Sequence, residues 1–185
     1  EFPTIENQKD LCKKYNFQYY RKKHTDLDFI QKIVIKHKIN IGLITGARIL
    51  NKEIINLISF GIINYHPGKL PYLRGLDTFY WMIKKKINPA ITVHFIDKKI
   101  DLGQKILIKK ITVYKSDTIN KLKKRFYRTQ LECHRYICSL LKNHKKIKYS
   151  KIKFLNKNKT LNEEERQLII NEFKAWKSIM VKNEI

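Results

Sequence analysis

The chain has 185 residues, 40 of them Lys or Arg against 16 Asp or Glu, a net charge of +24. With 43% hydrophobic and 11% aromatic residues, it is too apolar for a disordered basic tail, and its length implies one domain with a small appendage. No run approaches the roughly 18 apolar residues of a membrane-spanning helix, and the start lacks the pattern of a secretory signal, so a cytoplasmic location is expected.

In chain order, Asn7 to Tyr15 reads as a helix and Phe17 to Tyr20 as a short strand. Asp26 to His37 carries Leu27, Ile30, Ile33 and Val34 on one helical face. Ile41 to Thr45 is a continuous apolar run of strand length, as in a parallel strand buried on both faces. Asn51 to Ser59 is helical, Gly61 to Asn64 a strand, His66 to Gly75 a Pro/Gly loop, and Asp77 to Lys85 a helix. Ile91 to Ile96 and Ile106 to Val113 are strands. Ser116 to Leu141 is a long helix with Leu122, Phe126, Cys133, Ile137 and Leu140 on one stripe. Strands alternating with helices predict an α/β fold with a doubly wound, mostly parallel sheet. Residues 1–141 form the expected main domain, and residues 142–185 a Lys-rich linker followed by an amphipathic helix. Thr160 and Glu163 suggest a capping box for that helix. Leu161, Leu168, Ile169, Trp176, Ile179 and Met180 share its face, which packs back on the domain or on a second subunit.

Three cysteines, Cys12, Cys133 and Cys138, give an odd count without CxxC spacing, which argues against a disulfide scaffold or a cysteine zinc site. The lysines are spread over every segment, so the charge reads as a solvated surface before it reads as a nucleic-acid patch. Any RNA binding is expected to be non-specific and salt-dependent. Attraction to phosphorylated small molecules holds under either reading.

All six glycines lie between Gly42 and Gly103, with Pro67, Pro71 and Pro89 among them. Shaped loops are therefore concentrated in one third of the chain, where a site is best sought. Asn64 and His66 stand where a predicted strand ends, the place where open α/β sheets bind ligands. Two residues apart on an extended segment, their side chains project to the same side. An Asn amide donates, and His moves protons near neutrality, so the pair can polarise a carbonyl and steady an oxyanion. Asp101, before Leu102 and Gly103, follows the strand Thr92 to Ile96. A carboxylate beside an imidazole favours its charged form and fixes its tautomer.

The run Asn64-Tyr-His-Pro-Gly-Lys-Leu-Pro-Tyr-Leu-Arg-Gly75 resembles the signature of the 10-formyltetrahydrofolate-dependent formyltransferases. Thr92-Val-His-Phe-Ile-Asp-Lys-Lys-Ile-Asp-Leu-Gly103 resembles their second signature, and Gly46-Ala-Arg-Ile-Leu50 a third element. The resemblance covers roughly Asp26 to Leu141. It implies a Rossmann-like formyltransferase fold, of which the first strand is expected to be missing from this chain. It further implies 10-formyltetrahydrofolate as formyl donor, no metal, and catalysis by Asn64, His66 and Asp101. Asn64 and His66 would stabilise the oxyanion, and Asp101 with an ordered water would keep His66 protonated. The donor pocket would fall on Ala47, Arg48, Ile49 and Leu50 and on the turn Asp97 to Asp101.

Departures bear on the acceptor. Gly68 stands where the family usually has Ser. Gln130 and Leu131 replace the Glu-His pair with which glycinamide ribonucleotide formyltransferases help bind their acceptor. Residues 142–185 are too few for the barrel domain of methionyl-tRNA formyltransferases. A small primary amine on a nucleotide-linked sugar is therefore the leading acceptor, ahead of glycinamide ribonucleotide and methionyl-tRNA. The rival of another class is a basic nucleic-acid-binding module on a degenerate scaffold of the same fold, which would have no need of Asn64, His66 and Asp101 together.

Overall fold

The structure, a computed structural model, describes residues 7–182 apart from 45, 47 and 48. Two helices open it, α1 (Gln8–Lys14) and α2 (Leu27–Lys36). The Asp26 carboxylate caps α2 by accepting the Phe29 N–H at 3.1 Å. There follow β1 (Ile41–Ile44), α3 (Lys52–Leu57), β2 (Gly61–His66), α4 (Thr78–Lys84), β3 (Ala90–Phe95), β4 (Gln104–Lys110), α5 (Ile119–Lys142), β5 (Ser150–Lys151), α6 (Glu163–Asn171) and α7 (Phe173–Lys182). The segment Phe17 to Tyr20 is not a strand. Among the described residues no strand pairs with it: the Phe17 N–H turns back to the Cys12 carbonyl at 2.7 Å instead, and an extended segment without a ladder partner leaves its backbone groups to solvent or to such local bonds.

The α/β class stands, but the sheet is mixed rather than mostly parallel. Its order is β1-β2-β3-β4-β5, and only β1 and β2 are parallel, while β3, β4 and β5 each run antiparallel to their predecessor. The reason lies in the connections. Residues 67–89 spend their length on a shaped loop and one short helix at the end where β2 finishes, so β3 re-enters from that end. A parallel return would need a crossover to the opposite end. The full burial of β3 does not distinguish the two cases, because covering elements on both faces bury either kind of strand.

Ile63, Ile83, Ile91, Val93, Leu122 and Ile137 form the centre of the core, each fully shielded from solvent. Helix α5 supplies the cover on one face through Leu122, Phe126, Thr129, Cys133 and Ile137. The C-terminal segment joins the same core: Leu161, Ile169, Phe173, Trp176 and Met180 belong to the one buried cluster. It holds two helices, not one. The capping box is formed by Asn162 and Glu165, two residues beyond the Thr160–Glu163 pair, and the Leu161 N–H just before it donates to the Asp77 carboxylate at 2.9 Å. Leu168 points outward and is 61% exposed.

Candidate active site

Strand β2 delivers Asn64 and His66 at its last turn of the pleat, on the same side of the sheet. The antiparallel register sets His94 opposite Asn64 and Thr92 opposite His66. Loop 96–103 then folds back over this face and brings Asp101 above both histidines. The Asp101 Oδ1 lies 3.4 Å from His66 Nδ1 and 3.7 Å from His94 Nε2. The amide nitrogen of Asn64 is 3.3 Å from His94 Nε2. The three sequence-predicted catalytic groups therefore converge, and a fourth, His94, stands among them.

Each member is held from a second direction. His66 is buried, and its Nε2 donates to the Leu73 carbonyl at 2.6 Å. Both His66 nitrogens thus face acceptors, a pattern that only the doubly protonated ring fills completely. Asp101 sits in the left-handed region at φ 52°, and its Oδ2 accepts the Gly75 N–H at 2.8 Å. The His94 Nδ1 donates to the Phe95 carbonyl at 2.9 Å. Burial, with His66 as a neighbouring cation, pulls the His94 imidazole down to about 4, against smaller opposing effects of Asp101 and the Phe95 carbonyl.

The two signature loops are tied to each other and to β3. The Thr92 hydroxyl donates to Gly68 O at 2.6 Å and accepts from Leu70 N at 3.1 Å. The guanidinium of buried Arg74 donates through Nη2 to Ile100 O at 2.6 Å and through Nη1 to Leu155 O. The C-terminal segment thereby braces the loop that carries Asp101. Gly103 permits the fold-back: a Cβ there would meet Phe95 O at 1.7 Å. Gly68 is also required by space, since its Cβ would lie 2.9 Å from Leu73 Cβ and 3.1 Å from His66 Nε2.

The predicted donor-pocket residues fall as follows. Ala47 and Arg48 lie outside the described residues. Ile49, 69% exposed, and the half-buried Leu50 follow β1 at the sheet end where β2 finishes, since Ile44 pairs with Asn64 in parallel register. Asp97 occupies an exposed turn, its carboxylate accepting the Lys98 N–H at 2.7 Å. On the opposite face of β2, Gln130 donates to Tyr65 O at 2.7 Å, while Leu131 is 41% exposed. Among the described residues no group of three His, Cys, Asp or Glu is placed to hold a metal ion, and no helix is long and apolar enough to cross a membrane.

His94 is the functional candidate that the sequence reading left unassigned. Its signal was available: in a strand, Thr92 and His94 share a face, and antiparallel pairing with β2 puts that face beside Asn64 and His66.

Known proteins match this arrangement. The model of the family described as "Formyl transferase" matches residues 6–137. The chain is 34% identical to the methionyl-tRNA formyltransferase of Desulforamulus reducens over 83 residues, 44% of this chain and 26% of that protein. It is 27% identical to the phosphoribosylglycinamide formyltransferase of Bacillus subtilis over 108 residues, 57% of this chain and 54% of that protein. It thus spans about a quarter to about half the length of these two relatives. Among solved structures, the formyltransferase PseJ of Anoxybacillus kamchatkensis, in complex with UDP-4,6-dideoxy-4-formamido-L-AltNAc and tetrahydrofolate, superposes with a TM-score of 0.66 at 19% identity. That match covers 97% of this chain and 94% of the other. With the family model covering most of its length and the same fold in the solved relatives, the chain belongs to the formyl transferase family.

Proposed function

We propose that the protein transfers a formyl group from 10-formyltetrahydrofolate to a primary amine, that of a nucleotide-linked amino sugar. The observation that carries this reading is the convergence of Asn64, His66 and Asp101 in one cluster on the family's fold. The donor is the source of an activated formyl group, and the residues present suit it. Asn64, only partly buried, has one amide hydrogen directed to His94 and a second free to meet a carbonyl oxygen. As the amine adds to the formyl carbon, that oxygen gains negative charge, and a fixed amide donor is worth most at that moment. His66, donating through Nε2 to Leu73 O with its Nδ1 3.4 Å from the Asp101 carboxylate, is held in place close by. The Asp101 carboxylate, which keeps lone pairs beyond its contacts with His66 and Gly75, then takes the proton that the amine sheds. The exposed Ile49 and the adjoining segment to Leu50, with the turn at Asp97, form the wall against which the folate ring would lie. In this reading residues 1–141 carry the site and residues 142–185 steady it through Leu155 and Arg74.

Support for a sugar acceptor comes from the extent of the superposition with the enzyme whose structure holds a UDP-linked formamido sugar, which takes in the C-terminal segment as well. The replacement of the acceptor-binding Glu-His pair by Gln130 and Leu131 points away from glycinamide ribonucleotide. A competition assay decides between acceptors. The purified protein, given 10-formyltetrahydrofolate with a UDP-linked 4-amino sugar, glycinamide ribonucleotide and methionyl-tRNA in equal amounts, is expected to formylate the sugar at least 10-fold faster by kcat/KM. Preferential formylation of either other acceptor would reverse the assignment while leaving formyl transfer intact.

A further inference from the structure

We infer that His94 is a positioning residue that fixes which way the Asn64 amide points. His94 Nδ1 lies 2.9 Å from the Phe95 carbonyl, and a carbonyl oxygen accepts only, so Nδ1 carries the hydrogen. The ring is fully buried and neutral at pH 7, so Nε2 carries a lone pair. The Asn64 side-chain nitrogen, 3.3 Å away, is then the donor. The amide is thereby locked with its NH₂ toward His94 and its carbonyl oxygen turned away. One hydrogen is used by His94, and the other is presented to the open side of β2. Were the amide flipped, its oxygen would face the His94 lone pair on one side and a developing oxyanion on the other, and both contacts would be repulsive.

The two histidines therefore hold different duties. His66 donates through Nε2 to Leu73 O, whereas His94 donates through Nδ1 and accepts at Nε2. Asp101 Oδ1 stands between them, nearer to His66 Nδ1 at 3.4 Å than to His94 Nε2 at 3.7 Å. A neutral His94 leaves the single carboxylate to His66. The ring centroids are 6.3 Å apart with planes inclined at 77°, an edge-to-face arrangement.

For its kinetic arm this inference rests on the formyl-transfer reading, and its spectroscopic arm stands without that reading. In the ¹⁵N-labelled full chain, long-range ¹H–¹⁵N spectra of the histidine rings are expected to show His94 as the neutral Nδ1–H tautomer from pH 8 down to pH 5. A charged ring at pH 7, or the Nε2–H tautomer, overturns the inference. In the transfer assay, His94→Ala is expected to lower kcat about 10- to 100-fold with donor and acceptor KM within about 2-fold, the scale for a misdirected oxyanion donor. His94→Gln, whose carbonyl can accept from Asn64, should regain most of that loss. The double variant Asn64→Ala/His94→Ala should be no slower than Asn64→Ala alone. Fully multiplicative losses in the double variant, or a His94→Gln variant as slow as His94→Ala, would reduce His94 to a packing residue. If the unaltered protein transfers no formyl group, the functional reading fails, and the tautomer of His94 alone decides the inference.

Discussion

Asp101→Asn is expected to lower turnover by about 10²-fold or more while leaving the fold in place. Asparagine tolerates the left-handed backbone that residue 101 adopts at φ 52°, and its side-chain oxygen can still accept the Gly75 N–H. What changes is the atom facing His66. With the oxygen held by Gly75, an NH₂ group replaces the Oδ1 that lies 3.4 Å from His66 Nδ1. A donor then opposes a donor, and the imidazole can no longer carry two hydrogens without conflict. Turning the amide over repairs this contact only by orphaning Gly75. Thermal melts and steady-state rates of the same preparation separate the outcomes. A melting temperature within a few degrees of the unaltered protein, with a large fall in kcat, is the expected pair. An unchanged kcat would mean that Asp101 is a turn residue alone.

The second large effect concerns backbone space. Gly103→Ala is expected to destabilise the protein by roughly 3 kcal/mol or more, at the severe end of single substitutions, a fall in melting temperature of roughly 10 °C. The added Cβ meets Phe95 O at 1.7 Å, Phe95 C at 2.7 Å and Ile96 C at 3.1 Å, all backbone atoms that no side-chain rotation can move. Loop 96–103 must then lift from the sheet, and Asp101, two residues earlier, lifts with it. Activity should therefore fall even at temperatures where the variant is folded. Gly46→Ala is the matched control for stability, because among the described residues a Cβ there meets nothing within 4 Å. A Gly103→Ala variant as stable as that control would contradict the packing described for the loop.

Much of this was legible in the sequence, for reasons that differ from residue to residue. The long stripe from Leu122 to Ile137 repeats over several turns, so helix α5 could hardly be misread. Asn64 and His66 could be paired because a strand's period of two is fixed by covalent geometry. Strand direction was not legible: an apolar run such as Ile91 to Phe95 records burial, and burial on both faces is compatible with either direction. The capping pattern was degenerate, since Thr160–Glu163 and Asn162–Glu165 both satisfy it, and a tertiary contact from Asp77 to Leu161 accompanies the later one. His94 escaped because its role depends on which strand lies beside β3, a fact of sheet order rather than of local pattern. The close approach of Gly103 to Phe95 was equally hidden, since a glycine before a strand reads first as an ordinary turn.

The central claim is that this cluster transfers a formyl group, with Asn64 as the oxyanion donor. It is tested most directly by following formyl-labelled 10-formyltetrahydrofolate with the UDP-linked 4-amino sugar, using the unaltered protein and Asn64→Ala side by side. The expected result is one labelled formamide formed per tetrahydrofolate released, with the rate falling about 10²- to 10³-fold in Asn64→Ala and donor binding retained. Tetrahydrofolate release without a labelled amide, or transfer that proceeds equally well in Asn64→Ala, would contradict it.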